Sequence, residues 1–323
     1  MRRILAGVVL GLSAAVFLLG SAGMSLRLEP FHTWYYQFAW WPFVLGLESW
    51  LFLRGGWSLL WDAPRRFAAL VPLSVFLWCV FEAFNFRLGN WHYVGLPRDM
   101  TLRWLGFGLG YATVLPALFA MASMFRFLGL FDAVDPDTPE AVLEDRLAVA
   151  GPRRRPPLGL LALAGGVMLA LPLAWPRYCF PLVWGGFVLV LEPVLYESGR
   201  PSLLRDLERG RPGALYLLLL AGLACGLLWE CWNFWAGARW YYTVPFVGRP
   251  KLFEMPVLGF LGFPPFAVTC RVMTQACLLC WDRLGGLPGG RILRAVAALL
   301  AAGFVWAVFA GIDLFTVTAL AAP

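Results

Sequence analysis

Two glutamates stand inside apolar runs with an asparagine three residues on. They are Glu82 and Asn85 in Phe81-Glu82-Ala83-Phe84-Asn85-Phe86, and Glu230 and Asn233 in Trp229-Glu230-Cys231-Trp232-Asn233-Phe234. In a helix, a spacing of three puts each Asn on the face of its Glu. Apolar surroundings favour the neutral form of a carboxyl, and a neutral carboxyl can donate a proton. This pattern predicts acid–base chemistry with Glu82 and Glu230 as catalytic groups and Asn85 and Asn233 orienting them. The competing reading is structural, with a buried Glu bonded to Asn, Trp or Tyr simply locking two helices together. The chain holds only two histidines, His32 and His92, so a multi-histidine metal centre is excluded and no metal site is expected. No phosphate-binding glycine loop or nucleophile elbow is present, and no cofactor is expected. Cys277 and Cys280 have redox-motif spacing but read as apolar packing.

These residues belong to a longer recurrence. Glu82 returns as Glu230, 148 residues on, and Trp91-His92-Tyr93 returns as Trp240-Tyr241-Tyr242 at an offset of 149. Glu48 and Leu59-Leu60-Trp61-Asp62 return as Glu192 and Leu203-Leu204-Arg205-Asp206 at an offset of 144. Leu105-Gly106-Phe107 matches Leu258-Gly259-Phe260. Blocks kept in one order with slowly drifting offsets mark an internal duplication.

The elements that carry these residues follow from composition. Hydrophobic residues are 60% of the chain, charged residues 14%, and mean hydropathy is +0.71, which excludes an ordinary soluble domain. The sequence predicts an all-α, polytopic membrane helix bundle with nine spans near 4–23, 36–53, 68–86, 104–127, 158–175, 179–195, 214–235, 256–281 and 293–317. Met1-Arg2-Arg3 opens the first of these, read as an uncleaved span. With the N-terminus in the cytoplasm, 17 basic residues fall inside and eight outside, Arg271 lying within a span. That bias puts the N-terminus in and the C-terminus out. The organisation expected is a first membrane repeat over 1–128, a cytoplasmic linker over 129–157, a second repeat over 158–281 and a C-terminal transmembrane helix over 282–323. Two four-helix repeats of even span number face the same way, so their symmetry is parallel, about an axis near the membrane normal. The last span has no counterpart, and its small-residue face (Ala295, Ala298, Ala302, Gly303, Ala310, Gly311) is expected to pack on the bundle. In the linker, Asp137-Thr138-Pro139-Glu140 reads as a capping box opening a short surface helix to about Val149.

Acidic residues within spans face a bundle interior or a cavity. Glu48 and Glu192 fall nearer the membrane midplane than Glu82 and Glu230, and Asp313 lies in the last span. We count Glu48, Glu192, Trp91, Tyr93, Trp240, Tyr242 and Glu254 as candidate substrate-binding residues. The aromatic clusters at span ends also fit an interfacial belt.

Each copy resembles the membrane-integral lycopene cyclase domain of carotenoid biosynthesis, in its tandem fused form. The resemblance rests on an acidic residue ending a span and a following Gly-x-Trp-x-Tyr: Glu82 with Gly89, Trp91 and Tyr93, then Glu230 with Gly237, Trp240 and Tyr242, its aromatics one residue later. It covers about residues 36–125 and 180–281. The family's glutamate pair after a Pro at the start of the next span is missing. The second copy reads Glu254-Met255-Pro256-Val257-Leu258-Gly259 and the first Pro97-Arg98-Asp99-Met100. The resemblance implies an enzyme that cyclises or isomerises a polyene end group by protonating a double bond.

The function expected is a carotenoid- or isoprenoid-modifying membrane enzyme, a cyclase-like isomerase, taking an apolar substrate from the bilayer. A proton- or ion-coupled transporter of parallel repeats fits the same paired acids, as does a non-catalytic lipid-binding or scaffold protein. Partners expected are membrane lipids and a second copy of the chain as homo-oligomer. Nucleic acid is not expected, because the net charge of +7 reads as topology and anionic-lipid attraction. The location expected is a bacterial-type inner (plasma) membrane.

Overall fold

A computed structural model describes residues 1–136, 138 and 156–321. Helix α1 (Arg2–Ser25) leads through a turn to α2 (Tyr35–Arg54), and a short α3 (Leu59–Asp62) precedes α4 (Pro64–Leu88). Strand β1 (Trp91–Leu96) follows, then α5 (Met100–Tyr111) and α6 (Val114–Phe127). Next come α7 (Leu158–Ala174), α8 (Pro176–Cys179), α9 (Val183–Glu197), α10 (Leu203–Glu208), α11 (Gly213–Trp235), strand β2 (Arg239–Tyr242), a hairpin of β3 (Lys251–Leu252) and β4 (Met255–Pro256), and α12 (Phe263–Gly286). Helix α13 (Gly290–Phe315) and strand β5 (Val317–Leu320) end the described chain.

Each predicted span falls on a helix. Among the described residues, seven helical stretches are long and apolar enough to cross a membrane: Arg2–Ser25, Pro64–Leu88, Met100–Phe127, Pro176–Glu197, Gly213–Trp235, Val257–Gly286 and Gly290–Phe315. Helix α7 is apolar but 17 residues long, and α2 carries Gln37, Pro42 and Glu48 along its 20 residues. The expected span over 104–127 is two helices, α5 and α6, separated at Ala112-Thr113. The linker helix expected over 137–149 lies outside the described residues.

The fold is the all-α bundle that the sequence predicts, with a small sheet added to it. Strand β1 is its centre, antiparallel to β2 and parallel to β5. Strands β1 and β2 consist of the recurring aromatic motif, which the sequence places at span ends without assigning it a strand. The Trp-x-Tyr spacing matches the period of two that sends alternate side chains to one face of a strand. Gly89 ends α4 with φ of 60°, a left-handed turn that glycine adopts without strain. At Gly95, φ is 70° and a Cβ would run into the Gly237 carbonyl, so the chain leading into β2 can lie against β1.

Contacts recur at matched positions. Trp91 pairs with Tyr242, His92 with Tyr241 and Tyr93 with Trp240, so each motif residue meets its counterpart's mirror position about the His92–Tyr241 pair. Deeper in, Trp40 on α2 packs on Trp229 of α11 at 5.5 Å. Trp184, which stands 144 residues after Trp40, stacks on Phe81 of α4 at 5.4 Å. Phe43 meets Trp232 at 5.5 Å, and Phe187 meets Phe84 at 5.8 Å. The second helix of one half therefore packs on the glutamate-bearing helix of the other.

Glu48 and Glu192 act as caps. Glu48 Oε2 accepts from Ser58 Oγ at 2.6 Å and from the Leu60 amide at 3.0 Å. Glu192 Oε2 accepts from Ser202 Oγ at 2.7 Å and the Leu204 amide at 3.1 Å, and Oε1 from the Leu203 amide at 3.1 Å. These bonds satisfy the free N–H groups opening α3 and α10. The expectation of midplane, substrate-binding acids is corrected: both lie in the last two turns of their helices and face short cap helices, on the far side of the bundle from the sheet. Glu192 also pairs with buried Arg271 at 3.8 Å.

The last helix also differs from expectation. Ala295, Ala298, Ala302 and Gly303 are exposed, and α13 is buried instead through Val308, Phe309, Gly311 and Ile312. Gly311 lies under the Phe86 ring. Asp313 takes both ends of the Arg103 guanidinium at 2.7 and 2.8 Å and the Trp104 indole N–H at 2.9 Å.

Removing the carboxylate beside a buried guanidinium costs about 3–5 kcal/mol, against about 1–3 kcal/mol for losing an uncharged buried partner. Glu192→Ala is expected to lower the unfolding midpoint in detergent well below that of Glu48→Ala, as read by tryptophan fluorescence on heating. Equal midpoints would refute the assignment of Arg271 to Glu192.

Candidate functional site

Glu82 and Glu230 are fully buried, each in the last two turns of its helix, where a strand folds back beneath it. Four donors converge on Glu82 Oε1. They are the indole N–H of Trp78 at 2.8 Å and of Trp91 at 3.0 Å, the Tyr93 hydroxyl at short range, and the Tyr111 hydroxyl at 3.3 Å. The Tyr93 and Tyr111 hydroxyl oxygens lie 2.9 Å apart, so the single Tyr111 proton is shared between Tyr93 and Glu82. Glu230 Oε1 accepts from the Tyr242 hydroxyl at 2.8 Å, and Tyr242 in turn receives the Trp240 indole N–H at 2.8 Å. In both carboxyls Oε2 is buried with no hydrogen-bond partner among the described residues. Orphaned buried oxygens are rare and costly in proteins, and here the same atom is left open twice.

The asparagines do not orient these carboxyls, which corrects the expectation from their spacing. Asn85 donates to the Trp91 carbonyl at 2.8 Å and accepts from the Trp91 amide at 3.2 Å and the Asn90 amide at 2.8 Å. Asn233 treats Trp240 the same way, donating to its carbonyl at 2.8 Å and accepting from its amide at 2.9 Å. A residue in a helix's final turn reaches past the helix end, so the shared face does not make it a partner of the Glu one turn earlier. The asparagines are positioning residues: they grip the strand, and the strand aims its aromatics at the carboxyls.

Between the two carboxyls lies a cleft lined by Tyr93, Tyr111, Trp78, Trp240, Tyr242 and Trp229, with Tyr36 and Phe263 among its further walls. Neither Glu lines it. Glu82 reaches it through the Tyr93 and Tyr111 hydroxyls and the Trp78 indole N–H, and Glu230 through the Tyr242 hydroxyl. Burial, reinforced by the neighbouring glutamate, pushes the phenols of strand residues Tyr93 and Tyr242 well above their ordinary range. Both therefore stay protonated at neutral pH and present O–H groups. Arg103 and Arg239 stand at the cleft's sheet-side end. Arg103 is held by Asp313 and the carbonyls of Pro97 and Arg98.

The halves differ in equipment. The position matching Trp78 is Gly226, where a side chain would meet the Phe263 ring. The position matching Tyr111 is Pro264. Glu230 therefore has one donor where Glu82 has four. Trp78 and Tyr111 escaped the sequence reading because they do not recur. Trp78 carried a readable signal, since it stands four residues before Glu82 on one helical face; Tyr111 carried none.

Of the other candidates, Trp91, Tyr93, Trp240 and Tyr242 join the site. Glu48 and Glu192 do not. Glu254 sits on the β3–β4 hairpin, paired with Lys251 at 3.7 Å, outside the cleft wall. Asp99 accepts from the Leu102 amide at 2.9 Å as the N-cap of α5. Among the described residues no cluster suits a metal ion.

Asn85→Leu is expected to free β1 while leaving α4 folded. Losing a buried hydrogen-bonding partner costs about 1–3 kcal/mol, which corresponds to amide exchange faster by about fivefold to 150-fold. Hydrogen exchange confined to the β1 peptide checks this, and unchanged protection there would show the grip to be unimportant.

The chain matches no protein-family model, no curated protein and no solved structure at a significant level.

Proposed function

We propose that the protein is a membrane-embedded enzyme that moves protons at an apolar, unsaturated substrate, an acid-catalysed cyclase or isomerase acting on an isoprenoid or polyene end group. One observation carries this reading: two buried carboxyls abut a single aromatic cleft, each joined to it by a tyrosine hydroxyl. The resemblance to the lycopene cyclase domain points the same way.

The chemistry is a relay. A carboxyl proton passes to the phenol oxygen as the phenol's own proton passes to a carbon of the double bond. The phenol ends neutral and the carboxyl ends as carboxylate. The carbocation formed is attacked by a neighbouring double bond or rearranges, with ring faces of Trp78, Trp229 and Trp240 around it, whose quadrupoles attract cations. Loss of a proton from an adjacent carbon to the other relay completes a net isomerisation, and proton exchange between the two glutamates resets the site. No electrons enter or leave.

The two carboxyls suit opposite steps. Four donors on one oxygen favour negative charge at Glu82, the arrangement of a base; one donor at Glu230 favours the acid. The architecture proposed is nine membrane crossings, two parallel four-helix copies about an axis near the membrane normal through His92–Tyr241, plus α13. The N-terminus is cytoplasmic in a bacterial-type inner membrane. On this topology, Arg98→Cys in a cysteine-free background reacts with an impermeant maleimide in intact cells, and Arg54→Cys only after permeabilisation. The reverse pattern would invert the orientation.

The decisive measurement is the isoprenoid and pigment profile of cells expressing the gene or its variants. Glu82→Gln keeps shape and accepts the same donors but cannot take up a proton, and Glu230→Gln has none to give, so product formation is expected to fall about 10²–10⁴-fold in each, with Tyr93→Phe also impaired. A profile unchanged by the gene, or by both Gln variants, overturns the enzyme reading.

A further inference from the structure

A second cavity opens on the flank of the bundle, between α1, α2 and α5. Its volume is about 550 Å³, in the range of small-molecule sites. Val9, Leu12 and Val16 of α1 form one wall, and Phe38, Trp41 and Leu45 of α2 the other. Helix α1 is largely exposed along its length, so this cavity faces the surroundings of the bundle at hydrocarbon depth.

Two details set the chemistry of its occupant. Gln37 and Trp41 line it, but Gln37 donates to the Gly106 carbonyl and Trp41 to the Leu109 carbonyl, both at 3.1 Å. The Trp41 N–H and one Gln37 N–H thus lace α2 to α5, which leaves the Ser13 hydroxyl and the rest of the Gln37 carboxamide as the polar groups on an otherwise apolar lining. A headgroup or a chain bearing hydroxyls would lose its hydrogen bonds to water there and regain few, which is unfavourable. The second detail is continuity. Trp34 and Gln37 line both this groove and the aromatic cleft, so the groove leads inward from the surface to the tyrosine hydroxyls.

We infer that the groove between α1, α2 and α5 binds a linear hydrocarbon chain, that of the substrate, and delivers its end to the cleft past Trp34 and Gln37. The occupant is distinguished from bulk phospholipid by that inward path: an acyl chain anchored by a headgroup at the interface would fill a surface groove without needing a passage to a buried site. The inference shares the cleft with the proposed reaction but is decided by binding alone, so a silent product assay leaves it standing and a failed binding assay leaves the reaction to be judged separately.

The test uses the full chain in phosphatidylcholine nanodiscs with two photoreactive probes. One is a diazirine-bearing linear isoprenoid hydrocarbon, the other a phosphatidylcholine with a diazirine in its acyl chain. Crosslinked residues are read by mass spectrometry. The hydrocarbon probe is expected to label the α1 and α2 peptides saturably, with competition by unlabelled squalene, whereas the phospholipid probe labels exposed faces generally, α13 included. Leu45→Trp fills the groove and is expected to reduce saturable labelling about tenfold or more. Leu12→Trp, at a position 60% exposed, makes the same test where folding is not at stake. Leu299→Trp, on the exposed face of α13, should label like the parent. Labelling spread equally over α13, identical labelling by the two probes, or full saturable labelling in both Trp variants would overturn the inference.

Discussion

The grip of one carboxamide on one residue's backbone organises this molecule. Asn85 takes both the N–H and the C=O of Trp91, and Asn233 takes both of Trp240. Each side chain imitates a neighbouring strand at the end of a helix. That fixes where the strand begins, and the period of two then decides which residues look inward. Trp91 and Tyr93 turn under Glu82, and Tyr242 turns under Glu230. Without the grip, the aromatic donors would have no fixed relation to the acids, and two carboxyls in apolar surroundings would lack the bonds that make them tolerable.

Much of the helical layout was legible because lipid-facing segments announce themselves by length and hydropathy. Recurrence also singled out the two buried glutamates that receive the tyrosine hydroxyls. It failed where position within a segment mattered more than type. Glu48 looked like a midplane acid, yet it lies near the end of α2 and turns to Ser58, and Glu192 does the same with Ser202. The signal was present: Ser precedes Leu-Leu in both copies, shortly after the glycine or proline that breaks the chain, and Ser with Asp four residues on marks a helix start. Asn85 misled in the opposite sense, since shared helical face implies contact only when both side chains stay within the helix.

Recurrence also has a blind side. It draws attention to what two halves keep and away from what one half alone acquired. Trp78 and Tyr111 complete the donor set around Glu82, and their counterparts are Gly226 and Pro264. The difference follows from packing: α11 and α12 approach so closely that Phe263 fills the space a side chain on Gly226 would need. The tighter helix pair removed donors from one carboxyl, and the looser pair admitted them to the other. The two carboxyls thus present unlike environments to a common cleft.

Helix α13 and strand β5 together give the sheet its boundary. A strand pair standing alone leaves backbone groups exposed along both sides, open to pairing with another chain. Here β5 runs beside β1, with the Tyr93 amide bonding the Thr316 carbonyl and the Ala321 amide the Leu96 carbonyl. The alanine-rich stretch of α13 is exposed, and the helix packs on the bundle through its second half. Anchored at Asp313, it carries a short terminal segment back to the central strand and seals it. One consequence concerns association: with β1 paired on both sides, a second molecule that joined the sheet by strand addition would pair with β2 or with β5, never with the strand that carries Trp91 and Tyr93.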